Sequence, residues 1–157
     1  MLTPAHDTAE STRHLLQQGL EADLLLISGG VSAGKYDLVE TILAEMEAKF
    51  FFGLPGNPTS TMVTFELFAR AAIELLSGEL TPMLPLLTSS LAAPLRQKAG
   101  LTRVLPATLS ADGRTVTPMA WKGSGDGAAV ARANCFTVSD PEREEYEAGD
   151  LIRVMQQ

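Results

Sequence analysis

The chain has a single cysteine, Cys135, in 157 residues. That excludes an internal disulfide framework and any metal site built from several thiolates. Positive charge is also scarce, with 12 Lys and Arg against 19 Asp and Glu and a formal net charge of -7. Basic contacts to phosphate supply most nucleic-acid affinity, so this balance argues against a nucleic-acid partner and leaves small molecules or proteins. No apolar run reaches the roughly 18 residues of a membrane-crossing helix. The opening stretch MLTPAHDTAESTRHLL places polar and acidic residues where a secretory signal needs an apolar core. A soluble, cytoplasmic protein with no membrane partner is the expectation. His6 and His14 lack metal-ligand spacing, and internal repeats and low-complexity tracts are absent.

What is present, 45% hydrophobic residues, suffices for one or two ordinary cores. Helical spacing predicts a first helix from Asp7 to Leu20, with Asp7 and Glu10 as a capping box and Gly19 near its end. A strand is predicted from Asp23 to Ser28, then a glycine loop, then a helix from Asp37 to Ala48. Phe50-Phe51-Phe52-Gly53-Leu54 reads as a short buried strand before the turn Pro55-Gly56-Asn57-Pro58. A long helix is predicted from Thr59 to Leu76, with Met62, Phe65, Phe68, Ala72 and Leu75 at helical spacing and Gly78 as its C-terminal cap. Alternating helix and strand is the pattern of a parallel α/β sheet. After Gly78 the texture changes. Pro82 and Pro85 stiffen a connector, and from Leu87 short Thr-, Val- and Leu-rich segments broken by turns such as Ala111-Asp112-Gly113-Arg114 predict an all-β module. The expected division is an α/β domain over 1–78, a linker over 79–86 and a β domain over 87–157.

Two turns carry the candidate chemistry. In LLLISGGVSAGKYD, Gly29, Gly34 and Lys35 satisfy the first seven places of a phosphate-binding P-loop, but the eighth needs a Ser or Thr hydroxyl and holds Tyr36. The P-loop reading fails. A strand, a glycine turn and a helix N-terminus still form a general anion cradle, in which Gly29 and Gly30 allow close approach and Ser32 adds a hydroxyl. The same residues serve equally as a tight strand-to-helix turn without a ligand. The second turn follows the second strand, which places both at the carboxyl edge of a parallel sheet, where open α/β sheets bind ligands. Pro55 and Pro58 each fix φ, Gly56 permits a bend close to a ligand, and Asn57 offers a donor and an acceptor. As a simple helix entry, this turn would be capped by Thr59 or Ser60. His14 reads as a packing or surface residue, Trp121 as a packing residue, Cys135 as an inert buried thiol, and Lys35 as a solvated lysine or a point charge for a phosphate.

SGGVSAGKYD together with GLPGNPTSTMVTFELF resembles the molybdopterin molybdenumtransferases, the MoeA and gephyrin E-domain family, and WKGSGDGAAVARANCFTV and EYEAGDLIRV resemble that family's small C-terminal β domain. The resemblance runs from about Asp7 to the C-terminus. It implies insertion of molybdate into adenylylated molybdopterin with release of AMP, assisted by Mg2+, within a homodimer. By the same resemblance, Gly29, Gly30, Ser32 and Gly34 would cradle the pterin phosphate or AMP. Asp37 would be the catalytic and magnesium-holding acid, Pro55, Gly56, Asn57 and Pro58 would line the insertion site, and Ser124 would stand near molybdate. The implied fold is an incomplete, MogA-like parallel sheet with flanking helices, followed by a small barrel-like domain. The family's segment between the second helix and FFFGLPGNP is missing around Lys49, so these residues alone are expected to be inactive. Two rival readings are a gephyrin-like dimeric interaction scaffold and a MogA-like molybdopterin adenylyltransferase. The second leaves the β module and LPGNP unexplained.

Overall fold

The computed structural model describes residues 2, 4, 6, 8–29, 38–46, 50–82, 84–123 and 125–156. Contacts divide the chain into two units, Met1–Pro82 and Met83–Gln157.

In the first unit, helix α1 spans Ala9–Gly19. Its cap is Thr8, which has an extended backbone and whose side-chain oxygen accepts the Ser11 N–H at 3.3 Å. The predicted capping box on Asp7 and Glu10 is therefore replaced by a Thr8 cap, and Asp7 itself lies outside the described residues. Thr12, Leu16 and Gly19 recur at helical spacing and are the buried face of α1. Leu16 packs with Val39, Ile42 and Leu43 of α2, Leu38–Glu45, and this cluster is flanked by half-buried Leu20, Leu25, Ile27 and Met46. An Arg13–Glu45 ion pair at 2.5 Å ties the two helices together at the surface. Exposed pairs of this kind contribute about 0–1 kcal/mol, so apolar burial dominates this contact. His14 lies on the exposed side, 3.1 Å from Gln18.

Strands β1, Leu25–Ser28, and β2, Phe51–Leu54, pair in parallel with Leu25 opposite Phe51 and Ser28 opposite Leu54. Leu25 and Ile27 face the α1–α2 cluster, while α3 packs against β2. Past Asn57 the chain runs as α3, Pro58–Thr64, then a π-helical turn, Phe65–Ala69, then α4, Arg70–Leu76. The single regular helix expected from Thr59 to Leu76 is thus interrupted. A π turn takes in one extra residue and rotates everything after it, which breaks the regular helical spacing beyond Ala69. Met62, Phe68 and Leu75 are exposed. Arg70 bridges Glu66 at 3.0 Å and Glu74 at 2.5 Å across the π turn. The helix ends where Gly78 was expected to end it, with Gly78 N–H on Leu75 O at 3.0 Å and Glu79 N–H on Glu74 O at 2.9 Å.

The second unit is built on a closed five-stranded barrel in the order β3, β6, β5, β7, β9. Its strands are β3 Leu86–Leu91, β5 Val104–Leu109, β6 Thr115–Pro118, β7 Cys135–Val138 and β9 Leu151–Gln156, while β4 Leu95–Arg96 and β8 Glu145–Tyr146 form a separate ribbon. All barrel pairings are antiparallel except β3 with β6. Leu91, Ala107, Leu109, Val116, Cys135, Ile152 and Val154 fill the core, and closure removes the open sheet edges. On the opposite strand faces, Pro106, Phe136 and Met155 lie side by side in register and are fully buried as well. Helix α5, Gly127–Arg132, packs against β5 and was not foreseen in a module expected to be all-β. Asp126 starts it by accepting the Ala129 N–H at 3.0 Å. The turn at Ala111–Arg114 forms as expected. The Ser110 hydroxyl, and after it the Arg114 N–H, donates to the Asp112 carboxylate and holds that group below its ordinary pKa.

Candidate functional site

Parallel pairing of β1 and β2 brings the residues after both strands to one edge. Gly29 follows β1 with a φ of 79°, a backbone state that side-chain-bearing residues rarely adopt. Its N–H donates to Leu54 O at 3.0 Å and so extends the ladder by one bond beyond Ser28. This N–H is therefore committed to the sheet.

Gly56 stands against Gly29. A Cβ at Gly56 would lie 3.3 Å from the Gly29 Cα, tighter than ordinary van der Waals contact. A side chain at position 56 would thus crowd a second glycine backbone. The two turns touch through their main chains.

Asn57 takes the cap position of α3, its Oδ1 accepting the Ser60 N–H at 3.3 Å, and Pro58 occupies the first turn with its preset φ. The alternative caps, Thr59 and Ser60, are not used. The cap engages Oδ1 and leaves the Nδ2 amide of Asn57 for another partner. Thr61, which drew no attention in the sequence, donates its hydroxyl toward Pro55 O and lies 2.8 Å from Asn57 O. Thr59 is buried, and its hydroxyl has no hydrogen-bond partner among the described residues. A Thr four residues after an N-cap Asn was the available signal for the Thr61 contact, because its hydroxyl can reach back to the preceding turn.

Of the candidate residues, Gly29, Pro55, Gly56, Asn57 and Pro58 are thus brought together. Gly30, Ser32, Gly34, Asp37 and Ser124 lie outside the described residues. Among the described residues no group of three His, Cys, Asp or Glu side chains could hold a metal ion, and no helix is long and apolar enough to cross a membrane.

Residues 88–156 match the family model of the MoeA C-terminal region, domain IV. Across the chain, a molybdopterin molybdenumtransferase from Staphylococcus aureus (strain COL) is 26% identical over 174 residues, covering 95% of this chain and 42% of the relative. One from Staphylococcus epidermidis is 27% identical over 175 residues, covering 96% and 42%. This chain is similar to the MoeA proteins. The match to their domain IV lies within its second unit, and the chain spans 42% of the length of the curated relatives it matches. A solved structure of a molybdopterin biosynthesis MoeA protein from Pyrococcus horikosii superposes with a TM-score of 0.76 at 23% identity, over 97% of this chain and 42% of that one. That likeness shows the shared fold.

Proposed function

We infer that this chain carries the ligand-binding edge and domain IV of a molybdopterin molybdenumtransferase, a cytoplasmic enzyme of molybdenum cofactor synthesis that inserts molybdate into adenylylated molybdopterin and releases AMP. The observation that carries the reading is the meeting of Gly29 with Gly56 at the carboxyl end of two parallel strands, in a chain whose second unit is a MoeA domain IV. Open α/β sheets bind their ligands at that edge.

The parts have separable tasks. The β1 loop, with Gly30, Ser32 and Gly34, cradles the phosphate, while Pro55 to Pro58 form a rigid wall whose Asn57 Nδ2 supplies a donor. Asp37 is the acid that would hold magnesium, which neutralises charge as the phosphoanhydride is cleaved. Ser124 belongs near molybdate. The first unit's sheet is read as the incomplete part of a MogA-like domain. Consistent with that, the match to the Staphylococcus aureus relative runs over 174 residues but occupies 95% of a 157-residue chain, so it steps over positions that this chain lacks. These residues alone are accordingly read as inactive and the whole protein as a homodimer.

The test is AMP release by the full-length protein given adenylylated molybdopterin, molybdate and magnesium. Release is expected, and Asp37→Asn, which keeps size and capping ability, should lower it severalfold or more with the fold retained. Absence of release from the wild type overturns the activity, and wild-type release by Asp37→Asn removes Asp37 from the mechanism.

A further inference from the structure

The contact between the two turns is held from a third place. The Pro55 carbonyl accepts from the Thr61 hydroxyl and has no other donor among the described residues, whereas Asn57 O already receives the Thr61 N–H at 2.8 Å. Thr61 sits one turn into α3, so its hydroxyl ties the Pro55–Gly56 peptide back to the helix. That peptide leads directly into the Gly56 backbone lying against the Gly29 Cα, and Gly29 in turn is bonded to Leu54 O, one residue before Pro55. Thr61, Pro55, Gly56 and Gly29 therefore form one continuous chain of contacts between α3 and the loop after β1.

The geometry points to Thr61 as a positioning residue for this edge: its hydroxyl fixes the Pro55–Pro58 turn against Gly29, so that the two turns present one preformed surface to the ligand. The inference rests on the ligand-binding reading of the edge. A clamp of this kind acts by pre-organisation, because a ligand that must itself draw two loose turns together binds more weakly.

Three variants of the full-length protein decide it, with AMP as the probe. Thr61→Val keeps shape and removes the hydroxyl, Thr61→Ser keeps the hydroxyl and removes the methyl, and Gly56→Ala pushes the turns apart from the other side. Thr61→Val and Gly56→Ala should each weaken AMP binding about tenfold, the scale of one lost hydrogen bond. Thr61→Ser should bind as the wild type does, which loss of packing alone would not produce. Independently of any ligand, Thr61→Val should shift the Gly29 amide resonance and speed its hydrogen exchange. Wild-type AMP affinity in Thr61→Val, or weakened binding that Thr61→Ser fails to restore, overturns the positioning role, and so does an unmoved Gly29 amide. If the wild type ignores AMP, the ligand reading itself fails, and the Gly29 amide still reports whether Thr61 couples the turns. Should Thr61→Val not fold, Gly56→Ala interrogates the same contact.

Discussion

Cys135 begins β7 with none of its surface exposed, and burial pushes its thiol up to about 11 from an ordinary 9.0, with the Leu109 backbone pulling the other way. Because the folded value is the higher, the neutral thiol's contribution to stability is complete below pH 9 and is lost as pH rises toward 11. At pH 8 a maleimide should leave the folded protein unmodified and label one thiol per chain in guanidinium chloride. Labelling at the free-thiol rate in the folded state would contradict the buried placement. Its neighbour Asn134 does something no sequence pattern announced: its Oδ1 accepts Leu109 N–H at 2.7 Å and its Nδ2 donates to Leu109 O at 3.0 Å. The side chain stands in for a missing strand residue. Asn134→Ala would leave both Leu109 groups unsatisfied and should lower unfolding free energy by about 1–3 kcal/mol in urea titration. A cost under a few tenths would mean that water replaces the amide freely. Cys135 was legible because an apolar run surrounds it. Asn134 was not, since its partner lies 25 residues away.

Among the elements, the alternation of helix and strand was readable because its signals are local: apolar runs, turn residues and a glycine stop. Misreadings came where a local signal had a neighbour of equal strength. Thr8 caps α1 although Asp7 is an equally good candidate, and Asn57 caps α3 although Thr59 and Ser60 follow it. The π turn at Phe65–Ala69 contains no glycine or proline to announce it, so the interruption of the expected single helix was not legible. Helix α5 was hidden by its brevity, six residues between two barrel strands. The candidate edge was half legible. Its two glycines were visible, but their mutual contact depends on strand register, which one sequence does not display. Asn57 allows the cap and ligand roles to be separated. Asn57→Ala removes the cap and should cost about 1 kcal/mol in thermal or urea unfolding. Asn57→Asp keeps an acceptor for the Ser60 N–H but exchanges the amide donor for a charge, so stability should hold while AMP affinity falls. Equal AMP binding by Asn57→Asp and wild type would confine Asn57 to capping.

The two units differ in how completely each satisfies itself. The barrel closes on itself, buries both faces of β7 and surrounds its own core, as a self-sufficient domain does. The first unit offers a two-stranded sheet among its described residues, and two strands are marginal without further pairing. It also exposes Phe50, Phe51, Phe68, Leu75 and Leu76, with Phe50 at 59% and Phe68 at 57% of full exposure. A soluble monomer rarely shows apolar surface of that kind unless something covers it. The expectation is therefore asymmetric. Residues 83–157 alone should be monomeric and melt cooperatively, residues 1–157 alone should associate or melt at modest temperature, and the full-length protein should be a two-fold dimer that covers the apolar face. Light scattering and calorimetry on the three chains check each part. A full-length monomer at micromolar concentration would contradict the dimer. A stable, monomeric, cooperatively melting 157-residue chain would show that the first unit needs no further cover, and failure of residues 83–157 to fold would show that the barrel's closed core is insufficient by itself.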